Sequence, residues 1–207
     1  MALALDSASK ARILDFVRPL CVGLDGMTNY GFVERRMKIS EILFEGEERR
    51  GSAGGDAAAS PALLFLLAAF AGLPSARRIT PDSRESLLLR SLRIPLEEIS
   101  LLSFSLSRLE SSPQTLEEKI VHDAMLLEGV GAYGVTQILV SGSRERMTLA
   151  EMADAIDAKM DGSRFATETG RRLAGPRIAY AKDFAANLRA EAKEFEAPAC
   201  GSGRLTQ

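Results

Sequence analysis

The stretch Pro61-Ala-Leu-Leu-Phe-Leu-Leu-Ala-Ala-Phe-Ala-Gly-Leu73 constrains this chain more than any other feature, because it is apolar on every face of a helix. Ser60 supplies an N-cap and Pro61 fits the first helical position, so the run opens as a helix. A helix with no polar side must be wrapped by others. At about 20 residues for a bilayer crossing, the run is too short to span a membrane, and it reads instead as the centre of a helical core.

Further helices are legible around it. Leu3 to Leu20 and Phe32 to Phe44 carry apolar residues three and four apart, and Ile94-Pro95 opens another helix through Leu109. Thr115 with Glu118, and Thr148 with Glu151, make two capping boxes. The first starts a helix to Leu127 that ends at Gly129 and Gly131; the second starts one that stops near Gly162. From Thr167 to Glu196 the pattern is helical with an interruption at Gly175-Pro176. Strand signals are scarce. The expectation is an all-α bundle of roughly eight helices forming one domain over 1–196, with a mobile loop at 46–60 and a flexible tail at 197–207.

Charge and cysteine usage narrow the classes. With 26 basic and 28 acidic residues the net charge is -2, which gives no global field for nucleic acid or an anionic membrane. The N-terminus has no signal-peptide pattern, and Cys21 and Cys200 are too few and too far apart for a disulfide framework or a zinc ribbon. The expected setting is cytoplasmic.

Two segments carry a family resemblance. TLEEKIVHDAMLLEGVGAYGV runs into the turn Gly131-Ala132-Tyr133-Gly134, and the later segment holds Thr167, Glu168, Thr169, Gly170, Arg177 and Phe184. Together these resemble the HD-domain metal-dependent phosphohydrolase superfamily, in particular its small bacterial single-domain members, over residues 10 to 195. The resemblance implies an HD-domain-like helical fold. In active members it also implies a divalent metal held by a His, a His-Asp pair and a later Asp, which activates water and neutralises phosphoester charge.

Placed on those motifs, this sequence departs at every ligand position. The first ligand His falls on Phe32, the His-Asp pair on Phe65 and Leu66, and the last Asp on Met125. A further His-Ser pair appears as Phe104-Ser105. Apolar groups matched in this way imply that the metal pocket has become an apolar plug, since replacing a buried ionic cluster by volume-filling apolar residues is often neutral or stabilising. On the helix from Thr115, Leu116, Ile120, Ala124 and Leu127 share one side while Met125 lies roughly 140° away, which calls for a second apolar surface.

The remaining candidates are weighed against plainer roles. His122 is the sole histidine and reads as one partner of an exposed ion pair with Glu118 rather than a base or ligand. Asp123, with Lys119 four residues before it, reads mainly as structural; Asp123, Arg35 and Arg108 are the candidates for anion or ligand contacts, with Arg144 weaker. Cys21 has no histidine beside it to activate it. GSAGGD at Gly51 to Asp56 lacks the ending of a phosphate-binding loop. The expectation is a catalytically degenerate HD-type protein with no catalytic residues, metal or cofactor. It would serve as a small-molecule-binding or protein-interaction module, with a homo-oligomer or another protein as partner. The alternative is a metal-dependent phosphohydrolase acting on a nucleotide or phosphomonoester.

Overall fold

The computed structural model describes residues 3–21, 30–51, 59–73 and 79–195. Among the described residues there are nine helices and no strand: α1 (Ser7–Leu20), α2 (Tyr30–Arg49), α3 (Pro61–Phe70), α4 (Arg84–Ser91), α5 (Leu96–Arg108), α6 (Leu116–Glu128), α7 (Gly131–Arg144), α8 (Leu149–Gly162) and α9 (Glu168–Phe195). The all-α expectation holds. None of these helices alone is long and apolar enough to cross a membrane.

The caps read from the sequence are in place. Ser60 accepts a hydrogen bond from the Leu63 amide with Pro61 at the start of α3. The Thr148 and Glu151 box opens α8, and Thr115 and Glu118 exchange bonds at the start of α6. Several features differ from expectation; α1 begins at Ser7 rather than Leu3, and α2 at Tyr30 rather than Phe32. Helix α2 runs on to Arg49, so 46–49 belong to a helix and not to the loop, with Glu47 buried on its inner face; the rest of the expected 46–60 loop from 52 to 58 lies outside the described residues, as does the 197–207 tail. The Gly131-Ala-Tyr-Gly134 segment, expected as a turn, is the first turn of helix α7. Gly134 is needed there because a Cβ would collide with the Gly129 carbonyl. Helix α4 was masked in the sequence by its mixed polarity, capped by Ser83. Helix α9 is continuous through Pro176, the loss of one backbone donor being tolerated without ending the helix.

The sequence gives no composition break within 1–196, yet the contacts of the chain gather into two compact units. The first comprises 1–128 and 164–173, the second 129–163 and 174–207. In the first, α3 packs against α1, α2, α5 and α6, and α2 lies along α6. Leu66, Leu67 and Phe70 of α3 are at most 1% exposed, as the all-round apolar pattern requires. In the second unit α7 packs on α8, with Met152, Ile156 and Met160 buried along one face of α8. Arg189 of α9 ties to Asp154 and Asp157 of α8, each at 2.7 Å.

Candidate functional site

The helices that carry Phe32, Phe65, Leu66 and Met125, the four positions on which the resemblance places the ligands, are α2, α3 and α6, and they pack on one another in the first unit. Their side chains differ in fate. Leu66 is 1% exposed and sits in the core. Phe65, one residue and about 100° around the helix from it, is half-buried and borders a surface groove. Phe32 is half-buried with the Arg35 guanidinium 5.9 Å from its ring centre, and Met125 is also half-buried. The sealed plug expected from the sequence is therefore not what forms: only Leu66 has become core, while the others remain partly open to solvent.

No hard donor stands at these four positions; two phenyl rings, an isobutyl group and a thioether do not suit a divalent metal that works on phosphoesters. Among the described residues, no group of three His, Cys, Asp or Glu side chains is placed to hold a metal ion. The donor set does not fit the metal that the resemblance implies.

The acids on the same helices are engaged in holding the fold. Asp123 is fully buried; its Oδ1 accepts from the Ala166 amide at 2.7 Å, and its Oδ2 from the Thr167 amide at 2.7 Å and hydroxyl at 2.6 Å. It thus fastens the entrance to α9, where the Thr167 hydroxyl in turn accepts from the Gly170 amide. Burial pushes its carboxyl up, against the lowering influence of these donors. Asp123 is not a contact for an anion or outside ligand, and Lys119 is not its partner. Glu47, also buried, accepts from the Thr169 amide at 2.8 Å in the same entrance.

Arg108 is likewise spent. Its Nε lies 3.0 and 2.9 Å from the two oxygens of Glu118, its Nη2 donates to Oε1 at 2.6 Å, and its plane stacks 4.4 Å from the Phe104 ring centre. Burial works to raise the Glu118 carboxyl, but Arg108 and the amides of Gln114 and Thr115 outweigh it and hold that carboxyl below its ordinary value. With Glu118 committed, His122 is free of the ion pair expected for it. The ring, half-buried, has Nδ1 2.9 Å from the Leu109 carbonyl and Nε2 3.2 Å from that of Arg164. Both partners are carbonyl oxygens, which accept from a ring N–H. Arg35 is exposed beside Phe32, and Arg144 is exposed at the end of α7.

The sequence reading missed the one polar node that joins all three helices. Arg36 of α2 is buried; its Nε and Nη2 lie 3.3 and 3.1 Å from Glu128 Oε2 of α6, and its Nη1 donates to the Ala71 carbonyl that caps α3. Oε1 of Glu128 has no hydrogen-bond partner. Burial pushes the Glu128 carboxyl up, opposed by the Arg36 charge, and it likewise pushes up the thiol of buried Cys21. The available signal was the periodicity of α2: Val33, Arg36, Ser40, Leu43 and Glu47 fall on one buried stripe.

A groove of about 310 Å³ opens on α1, α2 and α3. Its walls include Leu64 and Phe65 of α3 with Met37 and Phe44 of α2. Glu41, Glu45 and Glu48 stand along its α2 edge, and Lys10 of α1 lies over the Phe65 ring at 5.3 Å.

Comparison with known proteins places the fold. A solved HD-superfamily hydrolase from Bacillus thuringiensis is 16% identical, with a TM-score of 0.66 over 90% of this chain and 97% of its own. YpgQ from Bacillus subtilis, solved in complex with ADP, is 17% identical with a TM-score of 0.61 over 89% and 95%. A Listeria innocua protein is 21% identical with a TM-score of 0.62 over 91% and 99%. No family model matches the sequence, and neither does any curated protein. The chain has an HD-domain-like helical fold.

Proposed function

We propose that this protein is a catalytically degenerate HD-type domain that works as a small-molecule-binding module in a reducing, cytoplasmic setting. The carrying observation is the ligand set: Phe32, Phe65, Leu66 and Met125 stand where a metal-dependent phosphohydrolase needs imidazoles and carboxylates. The acids nearby offer no substitute, since Asp123 caps α9, Glu118 holds Arg108 and Glu128 holds Arg36. Fold alone does not license activity, because function resides in the site.

A protein partner is a second reading, favoured by the large apolar side chains of α4 and α5 that face solvent: Leu87, Leu96 and Phe104 are 54, 55 and 58% exposed. Sedimentation across a concentration series tests self-association directly.

The deciding experiment is elemental analysis of the protein after exchange into manganese, nickel and magnesium buffers, with phosphatase and phosphodiesterase assays on the same samples, ADP among the substrates. Metal-free, inactive and stably folded protein is the expected result. Stoichiometric metal with turnover would restore the phosphohydrolase reading.

A further inference from the structure

We propose that the groove between α1, α2 and α3 binds an amphiphilic organic ammonium: a small molecule with an aliphatic or aromatic body and one protonated amine. This rests on the binding-module reading and names the ligand class. At about 310 Å³ the groove sits at the lower end of the roughly 300–1,000 Å³ that small-molecule sites span. Its walls are built for an apolar body, with Phe44 and Phe65 presenting rings beside buried Leu64.

The charge along the opening selects the other end. Glu41, Glu45 and Glu48 recur once per turn on the α2 edge, against Lys10 as the one cation lining the groove among the described residues. Glu45 bonds Arg49 at 3.2 Å, but both side chains are largely exposed and such a pair is weak. Lys10 is itself informative, because its ammonium lies 5.3 Å from the centre of the Phe65 ring. The ring face is thus already arranged to receive an alkylammonium, and a ligand amine would share or take over that place.

An independent observation lies at the border of the same groove. Ser40 is 2% exposed, borders the groove, and its hydroxyl has no hydrogen-bond partner. Buried hydroxyls are rarely left unpaired, and this one, able both to donate and to accept, has no partner of either kind. An ammonium N–H supplies a donor to its oxygen. A carboxylate of the same chain length meets three glutamates instead, and a neutral alcohol forgoes the charge.

The test is a two-dimensional NMR titration of the isotope-labelled full chain with hexylammonium chloride, with hexanoate and hexanol as controls at matched ionic strength. Hexylammonium should give saturable shifts centred on Phe65 and Ser40, with both controls weaker. Reversing charge at two exposed positions, Glu41→Lys with Glu48→Lys, should weaken hexylammonium about tenfold and narrow the gap to hexanoate. Equal binding of all three probes, indifference to charge reversal in a variant of unchanged helicity, or no saturable shift would each overturn the assignment. Metal content and phosphatase activity of the same samples separate the two claims. Metal with turnover would overturn the degenerate reading whatever hexylammonium does, and failure to bind by inactive, metal-free protein would overturn the ligand class alone.

Discussion

Arg36 and Glu128 meet across α2 and α6 with Nη2 3.1 Å from Oε2, and their side chains are only 7 and 4% exposed. The same guanidinium reaches the carbonyl of Ala71 at the end of α3, so one fixed cation ties three helices together. Removing one member of a buried pair leaves an uncompensated charge, whereas replacing both by apolar groups of similar size is much milder. Arg36→Met should cost about 3 to 5 kcal/mol by urea unfolding, and Arg36→Met with Glu128→Leu clearly less. A double variant as unstable as the single one would contradict this account of the node.

Asp123 receives three donors from Ala166 and Thr167 at the start of α9. Asp123→Ala should therefore cost about 3 kcal/mol, since buried amides and a hydroxyl lose their acceptor. It should also speed limited proteolysis between Arg164 and Gly170. Gly170→Ala should act in the same direction, because a Cβ there would run into the Asp123 carboxylate.

Glu118 gives the fold a defined acid sensitivity. Its carboxyl is held below the ordinary 4.5, so the ionised form is favoured in the folded state and its contribution is present above that pH. The contribution is lost as pH falls through the lowered folded value. The stability gap between the native chain and Glu118→Gln should thus be widest near neutrality and shrink below about pH 4.5 in denaturant titrations. A gap that widens in acid would reverse the sign.

Leu66 and Phe65 are adjacent in sequence and should behave unlike each other. Leu66→Ala empties a fully enclosed position and should cost about 2 to 5 kcal/mol. Phe65→Ala removes a ring that borders an open groove, so the cost should be nearer 1 kcal/mol, with the main loss in hexylammonium binding. Calorimetric melting of both variants checks the order.

Much of the fold was legible because its signals are local. Ser60-Pro61, the two capping boxes and the all-round apolar α3 depend on neighbours within a turn or so, and each appears where its residues place it. The boundaries that were not legible turn on long-range contacts. Gly46 falls in the expected mobile loop, but Glu47 just beyond it bonds the Thr169 amide and holds the last turn of α2 in place. A Cβ at Gly46 would meet Thr169 Cγ2 at 2.6 Å, so that glycine serves close approach rather than a turn. At the candidate site the sequence supplies the residue types at Phe32, Phe65, Leu66 and Met125. The directions of Phe65 and Phe32 were not legible, nor was the burial of Arg36, because a charged residue in the interior declares itself only once its partner from another helix is known.

The first compact unit is discontinuous along the chain, needing 164–173 to complete what 1–128 begins. Asp123 and Glu47 are fixed in position by helices made early, yet their donors at Ala166, Thr167 and Thr169 are synthesised last in that unit. A nascent chain that has emerged only as far as residue 163 therefore carries two carboxylates destined for the interior with nothing to receive them. The unit thus cannot be completed before residues 164–173 have been made.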